Sequence, residues 1–195
     1  MKSLGTQPIQ TERLMLRRIR LSDAQNMFNN WASDLVATKY LTWDPHKDVS
    51  ETKKIIAMWL DEYKYMHTFR WAIALRDSDE IIGMIDAVKI DLDDEVVTIG
   101  YVLSRKYWSQ GIMSEALRTI CDYLFLIIGV KTIVSHHKIE NPASGKVMQN
   151  AGMCLDKNPD LKYCILYEHG VETHKDTHVY YRKDNPAPET HKFEP

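Results

Sequence analysis

The chain has 195 residues, 25 basic against 27 acidic for a net charge of −2, and 44% of it is hydrophobic. That length suits one domain with a full core, and the near-even charge argues against a nucleic-acid or membrane-surface binder held by long-range electrostatics. Met1 to Pro8 lacks the apolar core of a signal peptide, and the longest apolar run, Leu124 to Ile128, is far too short to span a bilayer. A cytoplasmic protein is expected. Cys121, Cys154 and Cys164 are odd in number and lack metal-ligand spacing, which fits reduced thiols and no bound metal.

From the N-terminus, Arg13 to Ile19 alternates as a first strand would, with its arginines solvated. Ser22-Asp23-Ala24-Gln25 has the form of a capping box and opens a helix to about Ala32, with Met27, Phe28 and Trp31 on its apolar face. Asp34 to Val49 is irregular but aromatic, carrying Tyr40, Trp43 and His46. Asp48 or Ser50 can cap a second helix, in which Ile55, Met58, Trp59 and Tyr63 recur at helical spacing and Trp59 reads as core.

Arg70 to Leu75 and Glu80 to Val88 form a predicted hairpin around Arg76 to Asp79, and a turn at Asp91 to Asp94 leads into a strand at Glu95 to Leu103. After a glycine-containing turn, Ile112, Ala116, Ile120, Leu124 and Ile128, with Met113, Leu117, Cys121 and Phe125 beside them, mark one buried helix face. A strand at Lys131 to His136 follows. Asn141-Pro142 starts another helix, which Gly152 ends. Tyr163 to Tyr167 and Thr177 to Arg182 read as a closing antiparallel pair, and Lys183 onward, with three prolines and alternating charges, as a mobile tail. The domain is therefore placed at 1–182 and the tail at 183–195.

Backbone N–H groups are left free where a strand feeds a glycine turn and a helix, and the positive end of the helix dipole adds to them, so the turn before Ile112 is a candidate phosphate site. Gly111 lets backbone approach a pyrophosphate and can take a positive φ. A plain tight turn has the same local pattern.

Tyr107-Trp108-Ser109-Gln110-Gly111-Ile112-Met113-Ser114-Glu115-Ala116 resembles the acetyl-coenzyme A loop of the GNAT N-acetyltransferases, in the Rim-type branch that includes ribosomal-protein N-terminal acetyltransferases. Thr11-Glu12-Arg13-Leu14-Met15-Leu16-Arg17, Ile99-Gly100-Tyr101, Asn141-Pro142-Ala143-Ser144 and Ala151-Gly152-Met153 resemble other segments of that branch, in the same order, although Ser109 stands where glycine is usual. The resemblance implies one mixed α/β (α+β) domain, a twisted and mostly antiparallel sheet whose central strands splay, flanked by helices. It also implies acetyl transfer from acetyl-CoA to a primary amine by direct attack on the thioester, the acceptor being a small molecule or a protein N-terminus. Self-association into a homodimer is an open expectation.

By the same resemblance, backbone N–H groups of Val102, Leu103 and Ser104 hold the pantetheine arm, Gln110, Gly111, Ile112, Met113 and Ser114 cradle the pyrophosphate, and Asn141 binds the pantetheine or its neighbour. Ser144 matches the serine that protonates the departing thiolate in that branch; a first-turn serine can equally bond its own backbone. Many relatives use a tyrosine at the position of Met148, which cannot donate. The glutamate frequent before Ile-Gly-Tyr is replaced by Thr98, leaving Glu95 as the nearest candidate base, although odd spacing along a strand turns it to the other face. Tyr40, Trp43 and Trp71 are candidates for an apolar acceptor pocket. Such walls favour weakly basic amines: at pH 7 an α-amine of pKa near 8 costs about 1.4 kcal/mol to deprotonate, a lysine about 4.6.

His136-His137 and the pair His174 and His178 read as solvated or packed rather than metal ligands, because four residues along a strand do not span one helical turn. Two other functions fit less well. A non-catalytic coenzyme A sensor would explain Thr98 and Met148, and a dinucleotide binder would need the three-glycine fingerprint that is missing here.

Overall fold

The computed structural model describes residues 1–163, 167–168, 171–172 and 177–186. Strands β1 (Ile9–Gln10) and β2 (Leu14–Arg17) precede a short 3-10 turn and α1 (Ala24–Met27), which continues as wider π-type turns to Ala32. Then come α2 (Val49–Glu62), β3 (Arg70–Leu75), β4 (Ile81–Asp91), β5 (Val96–Leu103), α3 (Ile112–Tyr123), β6 (Thr132–Lys138), α4 (Pro142–Asn150) and β7 (Cys154–Leu155). The last strands are β8 (Tyr167–Glu168), β9 (Val171–Glu172) and β10 (His178–Asp184).

Among the described residues, eight strands form one sheet in the order β1-β2-β3-β4-β5-β6-β10-β7. All its pairs are antiparallel except β5 with β6. The α3 helix is the crossover a parallel pair needs. The 3.6-residue repeat on α3 and the alternation on the strands bury Trp71, Val97, Ile99, Ile112, Leu117 and Met148 in one core under α3 and α4. Ala24, Met27, Trp31, Ile56, Ala72 and Met84 form a second core on the opposite face, under α1 and α2.

Several local expectations change. Arg17 is buried rather than solvated, bonded to Asp23 and Asp79 at 2.8 Å each. Asp23 rather than Ser22 closes the first helical entry, its carboxylate accepting from the Arg20 backbone N–H at 2.7 Å. Asp48 caps α2 by accepting from the N–H groups of Ser50 and Glu51. The last strand pairs with β6 and β7 rather than with Tyr163, which lies in a 3-10 turn, and it runs two residues past Arg182. Residues 187–195, Cys164, His169, Gly170 and His174 lie outside the described residues. No helix among those described is long and apolar enough to cross a membrane.

Candidate active site

The site forms where β5 and β6 part. Their ladder holds for Val96↔Thr132, Val97↔Ile133 and Thr98↔Val134. One further tie, from Ser135 Oγ to the Ile99 carbonyl at 2.8 Å, closes it. Beyond Ile99, β5 stays paired to β4 through Leu103 but has no ladder partner on the β6 side among the described residues.

Strand alternation then decides which N–H groups face the gap. Ser104 donates its N–H to the Ile82 carbonyl at 2.8 Å, so even-numbered residues here point toward β4. Tyr101 and Leu103 therefore turn their N–H groups into the gap. This corrects the expectation for Val102 and Ser104, whose amides face β4. The indole of Trp108 donates to the Leu103 carbonyl at 2.8 Å and so closes the outer end of β5.

Ahead of α3, Ser109 and Gly111 both take left-handed conformations, φ 59° and 74°. Only glycine does this without a Cβ penalty, so Ser109 carries about 1–2 kcal/mol of local strain where the resembling family has glycine. Gly111 is the N-cap and supplies no side-chain acceptor, which leaves the first-turn N–H groups of Ile112, Met113 and Ser114 without an intrahelical partner. Arg13 packs over this turn, donating to the Gln110 carbonyl at 3.0 Å and to Glu115 at 2.7 Å. An open cleft of about 530 Å³ lies beside it, lined by Thr11, Arg13, Gly111, Ser114, Arg118 and Asn150 among others. An anion fits the chemistry of this turn.

Across the gap, Pro142 at the first helical position starts α4, and the Asn141 side chain makes no capping bond. Ser144 is brought to β5: its Oγ lies 2.8 Å from the Tyr101 hydroxyl, which also reaches the Ser144 carbonyl at 2.9 Å. Burial pushes the Tyr101 phenol far above its ordinary range, so it stays protonated, a role the sequence reading did not give it. Met148 is buried in the core.

The 34–48 loop straps the mouth of the gap. Asp34 pairs with Arg105, just past β5, and Tyr40 donates to the Glu140 carbonyl at 3.1 Å, just before Asn141. Trp43 packs on the α1–α2 core and against His46. Tyr40 thus borders the gap from the α1–α2 side.

Two expected site residues are elsewhere. Trp71 is 0% exposed in the core under α3, with its indole donating to the Gln7 carbonyl at 2.8 Å, so it touches no acceptor. Glu95 stands in the turn before β5, at the closed end of the pair, with φ 55° and its carboxylate 2.9 Å from the Met1 ammonium. Thr98 donates to the Tyr163 carbonyl.

The sequence pattern of the acetyltransferase (GNAT) domain matches residues 13–154. The chain belongs to the GNAT acetyltransferase family. It is 34% identical over 140 residues to the N-acetyltransferase p20 of Bacillus licheniformis, covering 72% of this chain and 78% of that protein. The structure of a ribosomal-protein-S5-alanine acetyltransferase from Vibrio fischeri superposes with a TM-score of 0.70 at 19% identity, over 94% of this chain and 100% of that one. The microcin C7 self-immunity acetyltransferase MccE, solved in complex with acetyl-CoA and AMP, superposes at 0.72 and 17% identity, over 89% of this chain and 93% of that one. Membership in the family assigns acetyl transfer from acetyl-CoA to this GNAT domain, and the open half of β5 with the α3 turn fits a thioester arm and its phosphates. Among the described residues no group of three side chains could hold a metal.

Proposed function

We propose that the protein is an N-acetyltransferase that moves acetyl to a primary amine, either a peptide or protein N-terminus or a small amine, by direct attack on the thioester. The observation that carries this reading is the Tyr101–Ser144 hydrogen bond inside the gap. Acetyl-CoA supplies an activated acyl group. The first-turn N–H groups of Ile112, Met113 and Ser114 hold its pyrophosphate, the Tyr101 and Leu103 N–H groups hold the arm, and Asn141 meets it from α4. The Tyr101 phenol has one proton for two acceptors. When it goes to Ser144 Oγ, the serine hydroxyl proton is free to turn toward the departing sulfur, and Tyr101 keeps the serine oriented.

The apolar strap with Tyr40 and Trp43 favours a weakly basic amine, because desolvation lowers the amine's pKa. Three of the six acidic groups near the pocket that could hold a polyamine, Asp34, Asp44, Asp91, Asp93, Asp94 and Glu95, already have cationic partners: Asp34 with Arg105, Asp94 with Lys162 and Glu95 with Met1. The likeness to an S5-alanine acetyltransferase also favours a small N-terminal residue as acceptor. Thiol release from acetyl-CoA with peptides, polyamines, aminoglycosides and free amino acids tests this. Activity with short peptides bearing small N-terminal residues is expected, and activity confined to polyamines would overturn it. The displacement of Glu95 and Thr98 from the gap favours a second reading, a coenzyme A sensor. That reading predicts tight cofactor binding and no thiol release with any amine.

A further inference from the structure

Neither Thr98 nor Glu95 can take a proton in the gap, and the register shows what stands there instead. Thr98 pairs with Val134, so two residues farther on Gly100 lies across the opening from His136. The side chains of β6 alternate. His137 faces α4, its ring so close to Gly145 that no side chain would fit at that position. His136 therefore projects to the opposite face, where Thr98 and Val102 also point and where Asp156, Asp160 and Tyr163 line the space beside it.

The residue is half-buried there, its Nε2 shut off from solvent, with the ring stacked on His178 at a centroid distance of 5.1 Å and flanked by Tyr180 at 5.6 Å. These cross-strand rings fix the imidazole's plane beside the opening. Gly100 has no side chain of its own, and the register places two ionisable groups beside it, Asp86 on β4 and, across the opening, His136 on β6. Asp86 is engaged by Arg70 at 3.3 Å. Among the described residues, the other titratable or charged groups facing His136 are His178, Tyr180 and Arg182 on β10, Asp156, Asp160 and Tyr163 on the connection before it, and Lys138 on its own strand; β5 offers only Thr98.

We propose that His136 is the base of this enzyme, taking a proton from the acceptor's ammonium group on the face of the sheet opposite Ser144. The inference rests on the acetyl-transfer reading above. The ammonium gives one proton to the imidazole and becomes a neutral amine. Its lone pair forms the N–C bond as the C–S pair departs onto sulfur, which takes the Ser144 proton; the second proton on nitrogen leaves to water, and Ser144 is reprotonated from water. The imidazolium returns its proton to water. Base and acid thus lie on the two faces of one opening, so the same proton is not carried around the acyl group.

The test compares the unmodified protein with His136→Gln, using a peptide whose α-amine titrates near pH 8. In the unmodified protein, kcat/KM should break on its acid side before the amine itself titrates, and run level toward the amine's own pKa. In His136→Gln it should be lower by about 10-fold near pH 7 and climb with the fraction of free amine, so that the two profiles converge above pH 8. The dissociation constant for acetyl-CoA, read by calorimetry, should match in both proteins. As a second variant, His136→Glu should restore turnover with the break moved down toward about 4.3. An unchanged profile in His136→Gln, or one lowered by the same factor at every pH, would overturn the assignment. Absence of thiol release from the unmodified protein with every amine would instead sink acetyl transfer itself.

Discussion

The two halves of β5 differ only in what lies along one edge. From Val96 to Thr98 the strand is bonded on both sides, and its neighbours Glu95 and Thr98 are committed to the Met1 ammonium and the Tyr163 carbonyl. From Gly100 to Leu103 it is bonded to β4 alone, and that half gathers Tyr101, Ser144, Asn141 and His136. A strand's chemistry therefore follows the point at which its ladder stops, more than the distance of a polar residue from a motif. An acid three residues before Thr98 is near in sequence and at the wrong end of the pair.

Perturbing the scaffold rather than the gap should give the largest effect. Arg17→Ala leaves Asp23 buried without its cation and should cost about 3–5 kcal/mol in denaturant unfolding. Any folded fraction should retain its affinity for acetyl-CoA. The same protein should lose acid sensitivity: the Arg17 hydrogen bond holds the Asp79 carboxyl below its usual value of 3.8, so that contribution is present above pH 4 and fades as pH falls through the depressed value. A flat stability difference between the two proteins from pH 5 down to 2 would contradict this.

Next in size is Gly111→Asp, which puts a Cβ at φ 74° and a negative charge at the helix start. Acetyl-CoA affinity should fall by about 100-fold, or roughly 2.7 kcal/mol, read by calorimetry. An unchanged constant in the folded variant would remove the turn from the site.

Ser144→Ala and Tyr101→Phe probe the open half directly. Each should lower kcat by about tenfold or more while leaving acetyl-CoA affinity nearly unchanged, since only the proton delivered to sulfur is lost and water partly replaces it. Lost affinity with intact turnover would make Ser144 a binding or capping residue. The smallest effect belongs to the closed half: Glu95→Gln should change stability by under about 1 kcal/mol, the carboxylate being 42% exposed, and leave turnover alone. A large loss of kcat there would break the contrast between the halves.

Local chemistry made much of this legible from the sequence. Asp48, Asn141-Pro142 and Gly111 mark helix starts because capping and φ preference act within a few residues, and the apolar repeat on α3 shows its buried face. Pairing was not legible. Trp71 shares the alternation of a pocket-lining residue, and only its position under Tyr123 and α3 makes it core. Arg17 reads as a surface residue until Asp23 and Asp79 meet it from distant turns. His136 reads as a solvated or packed histidine because its value depends on where β5 and β6 separate, a register that long-range packing sets. Tyr101 was hidden for the same reason: its partner lies 43 residues away.

The contrast between the halves of β5 is tested most directly by amide hydrogen exchange, followed residue by residue by NMR, with and without saturating acetyl-CoA. The N–H groups of Tyr101 and Leu103, together with those of Ile112, Met113 and Ser114, should gain protection when acetyl-CoA binds, while Val97, already bonded in the closed ladder, should exchange at the same rate in both states. Unaltered exchange at Tyr101 and Leu103 in the loaded protein would contradict the account.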